Sequence, residues 1–180
     1  MLRFKTILVL TLTMLASAAL ATAPSQSSIQ FTLTHPLHTI NGKCDSISVS
    51  GLDYTYQAGK FQLKSPFRVE IPYRSLDTGN SNRDSHMLEV LGYPTHKSIL
   101  AEIQTATQNG TSLSISGYLT IKGTRKPFST TAKLEMGESI MIKGQTAVSL
   151  TDFGVERPSL LGMATSDSVD ITYSFTLPVP

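Results

Sequence analysis

The chain of 180 residues carries 15 Lys and Arg against 13 Asp and Glu, a formal charge of +2, with 40% hydrophobic residues and one cysteine. A near-neutral surface of mixed sign gives no basis for nucleic-acid binding as a main function, and a single cysteine excludes an internal disulfide. Stability must come from burial and strand pairing.

Residues 1–21 read as a secretory signal. Arg3 and Lys5 precede an apolar run, Ile7–Leu15, and Ala19-Leu20-Ala21 fits a small-x-small cleavage site. Cleavage there starts the mature chain at Thr22; a cut after Ala23 would place Pro24 beside it and is less favourable. The run is too short for a membrane span, and no cysteine follows closely enough for lipid attachment. The expected location is the bacterial periplasm or the medium. About 159 residues remain, with 13 cations and 13 anions, enough for one domain over 22–180 with a sizeable core.

That domain is dominated by short segments of period-2 alternation. Ile29, Phe31 and Leu33 share one face of Ser28–Thr34; Phe67, Val69 and Ile71 follow the same rule. So do Leu113 with Ile115, Leu119 with Ile121, Ile140 with Ile142, Val148 with Leu150, and Val169, Ile171, Tyr173 and Phe175. These are half-buried antiparallel strands. Turns are expected at Asn41-Gly42, Asn109-Gly110, Lys122-Gly123 and Met136-Gly137-Glu138. About eight or nine strands without βαβ spacing predict an all-β fold closed into a barrel or sandwich, because closure removes exposed edges.

One stretch, Ser75–Leu88 (SLDTGNSNRDSHML), breaks the rhythm. Met87, Leu88 and Leu91 recur at helical spacing, Ser81 with Asp84 resembles a loose capping box, and Gly92 and Pro94 make a stop. A short helix is expected there, preceded by a tight turn at Thr78-Gly79-Asn80, with Arg83 pairing with Asp77 or Asp84. Asp84 and His86 could form an acid–base pair, but residues two apart on a helix point in different directions, and no strained nucleophile elbow occurs. A calcium loop read from Asn80 lacks its glycine at Ser85 and its glutamate at Leu91. His35-x-x-His38 has a zinc-like spacing, yet further ligands would have to converge from distant turns. Cys44 lacks any flanking Cys or His motif. Most of the cluster is therefore expected to serve turn and helix-start geometry. Lys122, Arg125 and Lys126 put three cations on a hairpin tip, solvated or facing anionic lipid.

Four stretches in order resemble the YceI-like family. They are Phe31–Lys43 (FTLTHPLHTINGK), Ser75–Ile99 with its T-G-N-x-x-R-D-x-H-M pattern, Ser116–Leu134 (SGYLTIKGTRKPFSTTAKL) and Thr151–Phe175 with its D-F-G. The resemblance implies a lipocalin-like antiparallel β-barrel of about eight strands with one short helix. Its lumen would hold a long apolar chain such as a polyisoprenoid, an isoprenoid quinone or a fatty amphiphile, for transport or storage. No cofactor and no catalytic group is implied. Burying apolar chain yields roughly 0.8 kcal/mol per methylene, so tight binding needs only an apolar tunnel with a few polar groups at its mouth. Ligand contacts are expected from Phe31, Leu33, His38, Met87, Leu119 and Ile121. Arg83 and His86 would meet a head group, oriented by Asn80 and Asp84. A transient membrane contact and a homodimer are compatible with this reading. Two other readings are a lipid-modifying or metal-assisted hydrolase using His86 and Asp84, and a stress-response interaction module without a physiological ligand.

Overall fold

In the computed structural model, residues 23–44 and 46–180 are described; the expected signal lies outside them. The elements in chain order are β1 (Gln26–His35), β2 (His38–Cys44), β3 (Ser48–Ser50), β4 (Tyr54–Gln57), β5 (Lys60–Leu63), β6 (Phe67–Pro72), β7 (Leu76–Asp77), α1 (Ser81–Val90), β8 (Ser98–Asn109), β9 (Ser112–Ile121), β10 (Thr124–Met136), β11 (Ser139–Ser149), β12 (Ser159–Leu160), β13 (Met163–Ala164) and β14 (Ser168–Pro178). Single 3₁₀ turns occupy Tyr73–Ser75 and Thr151–Phe153. Among the described residues no helix is long and apolar enough to cross a membrane.

Ten strands form one antiparallel sheet in the order β3-β6-β8-β9-β10-β11-β14-β1-β2-β7. Its two ends are joined by the chain itself. β3 continues β2 after residues 45–47, and β7 continues β6 after the Tyr73–Ser75 turn. β2 pairs with β7 through Lys43↔Asp77 and Cys44↔Leu76, while β3 pairs with β6 through Val49↔Val69 and its neighbours. The two runs thus lie antiparallel along both of their halves, and the sheet curls into a barrel. The sheet has ten strands, more than the expected eight, while the all-β antiparallel class is as expected. The β4–β5 and β12–β13 hairpins stand outside it.

The alternation read from the sequence becomes the inside and outside of this wall. Ile29, Phe31 and Leu33 turn inward from β1, and Leu113, Ile115, Leu119 and Ile121 do so from β9. Each end is closed by a separate element. At one end α1 and the Thr151–Phe153 turn pack around fully buried Tyr73, with Leu91, Ile121, Phe153 and Val155. The Lys122 N–H donates to the Tyr73 hydroxyl at 2.9 Å, fixing the β9–β10 turn to this plug. At the other end the β4–β5 hairpin lays stacked Tyr54 and Phe61 against Leu113, Leu134, Ile140 and Leu177. The Tyr54 hydroxyl donates to the Pro178 carbonyl, and the Phe61 N–H to Gln108 Oε1.

The turn expected at Asn41-Gly42 is not one: both residues lie within β2, and the β1–β2 connection is Pro36–Leu37. Gly42 pairs across from Phe31, and a Cβ there would come within 2.1 Å of the Phe31 ring. The glycine serves ring packing, a requirement that looks the same as a turn signal in sequence. The Lys122-Gly123 turn is as expected, with both residues at positive φ in a two-residue hairpin loop.

Between Ile103 and Thr105 the β8–β9 register shifts by one residue, a bulge facing Gly117. A Cβ at Gly117 would sit 2.0 Å from the Glu102 carbonyl oxygen, where backbone cannot yield. Gly117→Ala is expected to destabilise the protein by about 1–3 kcal/mol through overpacking, read by urea unfolding. An unchanged midpoint would show that the bulge relaxes without cost.

Candidate functional site

The inward faces do not meet at the barrel axis. They leave a cavity of about 350 Å³, within the usual range of small-molecule sites. Its wall is formed mainly by aliphatic and aromatic side chains from β1, β6, β8, β9, β11 and β14, with α1 above it. Two glycines keep it open. Opposite Gly42 lies the Phe31 ring, and opposite Gly144 the Tyr173 ring, whose hydroxyl a Cβ at Gly144 would approach to 2.2 Å. Without side chains at 42 and 144 both rings fold back onto the wall. A second cleft of about 870 Å³ lies outside the barrel between the β4–β5 hairpin and the Gln104–Gly110 end of β8. Its mixed polar lining makes it a solvent groove.

Phe31, Leu33, Met87, Leu119 and Ile121 border the cavity, as do Arg83 and His86 from α1. Phe67, Val69, Ile71, Ile99, Ala101 and Ile103 border it too and were not singled out as site residues. Alternation of Phe67, Val69 and Ile71 marks β6 as a strand, but only closure of the sheet decides that its face and that of β8 look into the same space. His38 does not border the cavity. It is exposed beside the β1–β2 connection, its ring 5.0 Å from that of His35.

The polar cluster around α1 is mainly architectural. The N-cap is Asn80, not Ser81: its side-chain oxygen accepts from the N–H groups of Asn82 and Arg83 at 3.1 Å. Asp84 Oδ1 accepts from the Thr78 N–H at 3.0 Å and its hydroxyl at 2.5 Å, locking the preceding turn onto the helix. The Arg83 guanidinium donates to the Thr78 hydroxyl and carbonyl, both at 2.9 Å, not to Asp77 or Asp84. His86 is exposed, with Nδ1 3.5 Å from Glu89. The helix ends as read: the N–H groups of Gly92 and Tyr93 bond back to Glu89 and Leu88, with Gly92 at φ +80°.

The cations of the β9–β10 tip also have partners on the protein. Lys122 Nζ donates to the Gly154 carbonyl, Lys126 meets Asp152 at 2.9 Å, and Arg125 meets Glu102 at 2.8 Å while lying 3.5 Å over the Tyr118 ring. Among the described residues no group of three His, Cys, Asp or Glu side chains could hold a metal ion.

A model of the YceI-like domain matches residues 21–177. The chain belongs to the YceI-like family. Solved structures with the same fold include Burkholderia cenocepacia BcnA, 15% identical over 83% of this chain and 95% of that one, with a TM-score of 0.71. A polyisoprenoid-binding domain from Saccharophagus degradans, implicated in plant cell wall breakdown, is 13% identical over 88% of this chain and 97% of that one, TM-score 0.66. The Campylobacter jejuni YceI protein is 15% identical over 78% and 85%, TM-score 0.64. No curated protein matches by sequence. At these identities the likeness establishes the YceI fold, and the site must be argued from this chain's own residues.

The segment after β11 closes the α1 end and is held by Asp167. Its carboxylate accepts from the Ser149 hydroxyl at 2.6 Å and the Thr151 N–H at 2.9 Å. These bonds, the Ser149 one foremost, lower its pKa below the usual 3.8. A carboxyl with a lowered folded pKa contributes stability that is complete above the unfolded value and lost as pH falls through the folded one. Acid unfolding of Asp167→Asn should therefore show a weaker loss of stability below about pH 4 than the wild type. Equal slopes would show that Asp167 does not couple this segment to pH. Asp84→Ala should lower stability by about 1 kcal/mol at pH 7 by freeing the Thr78 donors, measured by thermal melting.

Proposed function

We propose that the protein is a periplasmic or secreted binding protein that holds the apolar chain of a polyisoprenoid, isoprenoid quinone or similar amphiphile in its lumen, for transport or storage. The observation that carries this is the apolar cavity: a barrel capped at both ends whose inward side chains do not fill it. Dry apolar space inside a protein costs packing energy, and an apolar ligand recovers it. The family, and the polyisoprenoid-binding domain among the similar structures, support this reading.

A hydrolase is less well supported. Asp84 Oδ1 is engaged by Thr78 and does not border the cavity, while His86, which does, is exposed beside Glu89. The head-group role assigned to Arg83 has a similar difficulty, since two of its nitrogens already donate to Thr78.

A transient membrane contact is part of this proposal. Leu37 (56% exposed) and Leu161 (81% exposed) top neighbouring hairpins at the α1 end, tied together by the Ser166 N–H donating to the Thr34 carbonyl. Replacing both leucines with Glu should reduce co-sedimentation with phosphatidylglycerol vesicles and leave melting unchanged; undiminished sedimentation would remove this contact.

Mass spectrometry of protein purified from its own compartment should find a lipid with a long apolar chain at near-stoichiometric amount. Ala101→Phe, which grows into the cavity, should reduce that lipid by tenfold or more with little change in melting. Recovery of the apo mass alone, with nothing in solvent extracts, would overturn the lumen reading.

A further inference from the structure

One seam of the wall is largely unpaired. β10 has 13 residues and β11 has 11, yet they pair only from Met136↔Ile140 to Ala132↔Gly144. The flanking seams run the length of the strands: β9 pairs with β10 from Lys133 to Thr124, and β11 with β14 from Ser139 to Ser149. Beyond Ala132 the two strands part. The Thr130 hydroxyl reaches across to the Gln145 carbonyl at 3.0 Å, and Pro127 has no N–H with which to continue the ladder. At the far end the gap is laced on the outside by Lys126–Asp152 and by Lys122 Nζ to the Gly154 carbonyl. What remains between is a slot in the barrel wall.

The cavity reaches this slot. Thr146, Ala147, Val148 and Ser149 are consecutive, and all four border it. An intact wall strand would contribute alternate residues only. Ala147, whose side chain is on the outer face, borders the cavity because the space continues around the free edge of β11. The lumen therefore has a lateral opening, distinct from the end under α1.

The slot carries hydroxyls with unused bonding capacity in an otherwise apolar cavity. The Thr146 hydroxyl makes no hydrogen bond among the described residues, its backbone lying in the ladder with β14. The Tyr173 hydroxyl makes only a long contact of 3.3 Å with Thr130, whose own proton goes to Gln145. Ser149, by contrast, is already bonded to Asp167. Lys126, on the part of β10 unpaired with β11, is paired with Asp152. Neutral donors and acceptors without net charge suit an uncharged oxygen and disfavour an unneutralised phosphate.

We propose that the open part of the β10–β11 seam is the subsite for the polar end of the ligand: a neutral hydroxyl or carbonyl group lodges against Thr146 and Tyr173 while its apolar chain lies in the lumen. This rests on the lumen reading above and adds to it a head-group chemistry and a place for it, on the side of the barrel and away from Arg83 and His86.

The test compares geranylgeraniol, its hydrocarbon analogue without the hydroxyl, and geranylgeranyl phosphate on the delipidated full chain. Thr146→Val and Tyr173→Phe keep shape and remove one hydroxyl each. Each should weaken geranylgeraniol roughly tenfold, the worth of one buried hydrogen bond, and leave the hydrocarbon unchanged. A geranylgeraniol carrying a diazirine at its hydroxyl end should label the wild type within residues 127–131 or 145–149, a readout independent of variant folding. Labelling confined to residues 78–90, selective loss in Arg83→Leu alone, or tighter binding of the phosphate than the alcohol would overturn the seam subsite. If the wild type binds none of the three, the lumen reading fails, and the subsite with it.

Discussion

The hollow in this protein depends on how its sheet is closed. An antiparallel sheet of ten strands has two edges, and here the same two chain runs, β2–β3 and β6–β7, lie side by side over both of their halves. That double pairing bends the sheet around and turns one set of alternating residues on every stave toward a common axis. Without it, Ile29, Val69 and Ile103 would be faces of an open sheet in search of a cover. With it they become one apolar interior, and neither end of the sheet is left as a free edge.

Closure alone would make a packed core, as in barrels whose side chains fill their interior. This lumen stays open because large rings are laid flat against glycines and because the plugs sit at the ends. Phe31 covers Gly42, Tyr173 covers Gly144, and the bulkiest buried groups, Tyr73 and the Tyr54–Phe61 stack, lie under the two caps. Packing energy is thus concentrated at the poles, and the middle is left to a ligand. The hydroxyls of Thr146 and Tyr173 meet this otherwise apolar space at the β10–β11 seam, the Tyr173 one with only a long contact to Thr130.

The polar stretch before and within α1 belongs to the caps more than to the chemistry. Asn80, Arg83 and Asp84 all act on the backbone or side chain of the Thr78–Arg83 turn, which sets the angle at which α1 crosses the barrel mouth. The residues most suggestive of a reaction are therefore those that fix a lid. The same lid presents Met87 and Leu91 to the cavity, so its placement matters for the lumen even where its charges do not.

The sequence by itself determined the strand alternation, the single helix with its Gly92 stop, the hairpin turns at Lys122-Gly123 and Gly137, and, through the ordered T-G-N, R-D-x-H-M and D-F-G stretches, the family. Those features are local: they follow from side-chain periods and turn geometry within a few residues. The β4–β5 plug was not legible, because its four-residue strands are too short to show a period. Nor was the role of Gly42, since a glycine opposite a ring and a glycine in a turn look alike in one dimension. Only the tertiary structure decided that Arg83 bonds Thr78, that His38 lies away from the cavity, and that β10 and β11 part beyond Ala132. Each of these depends on which distant segment the closed sheet brings alongside, and no local pattern encodes that register.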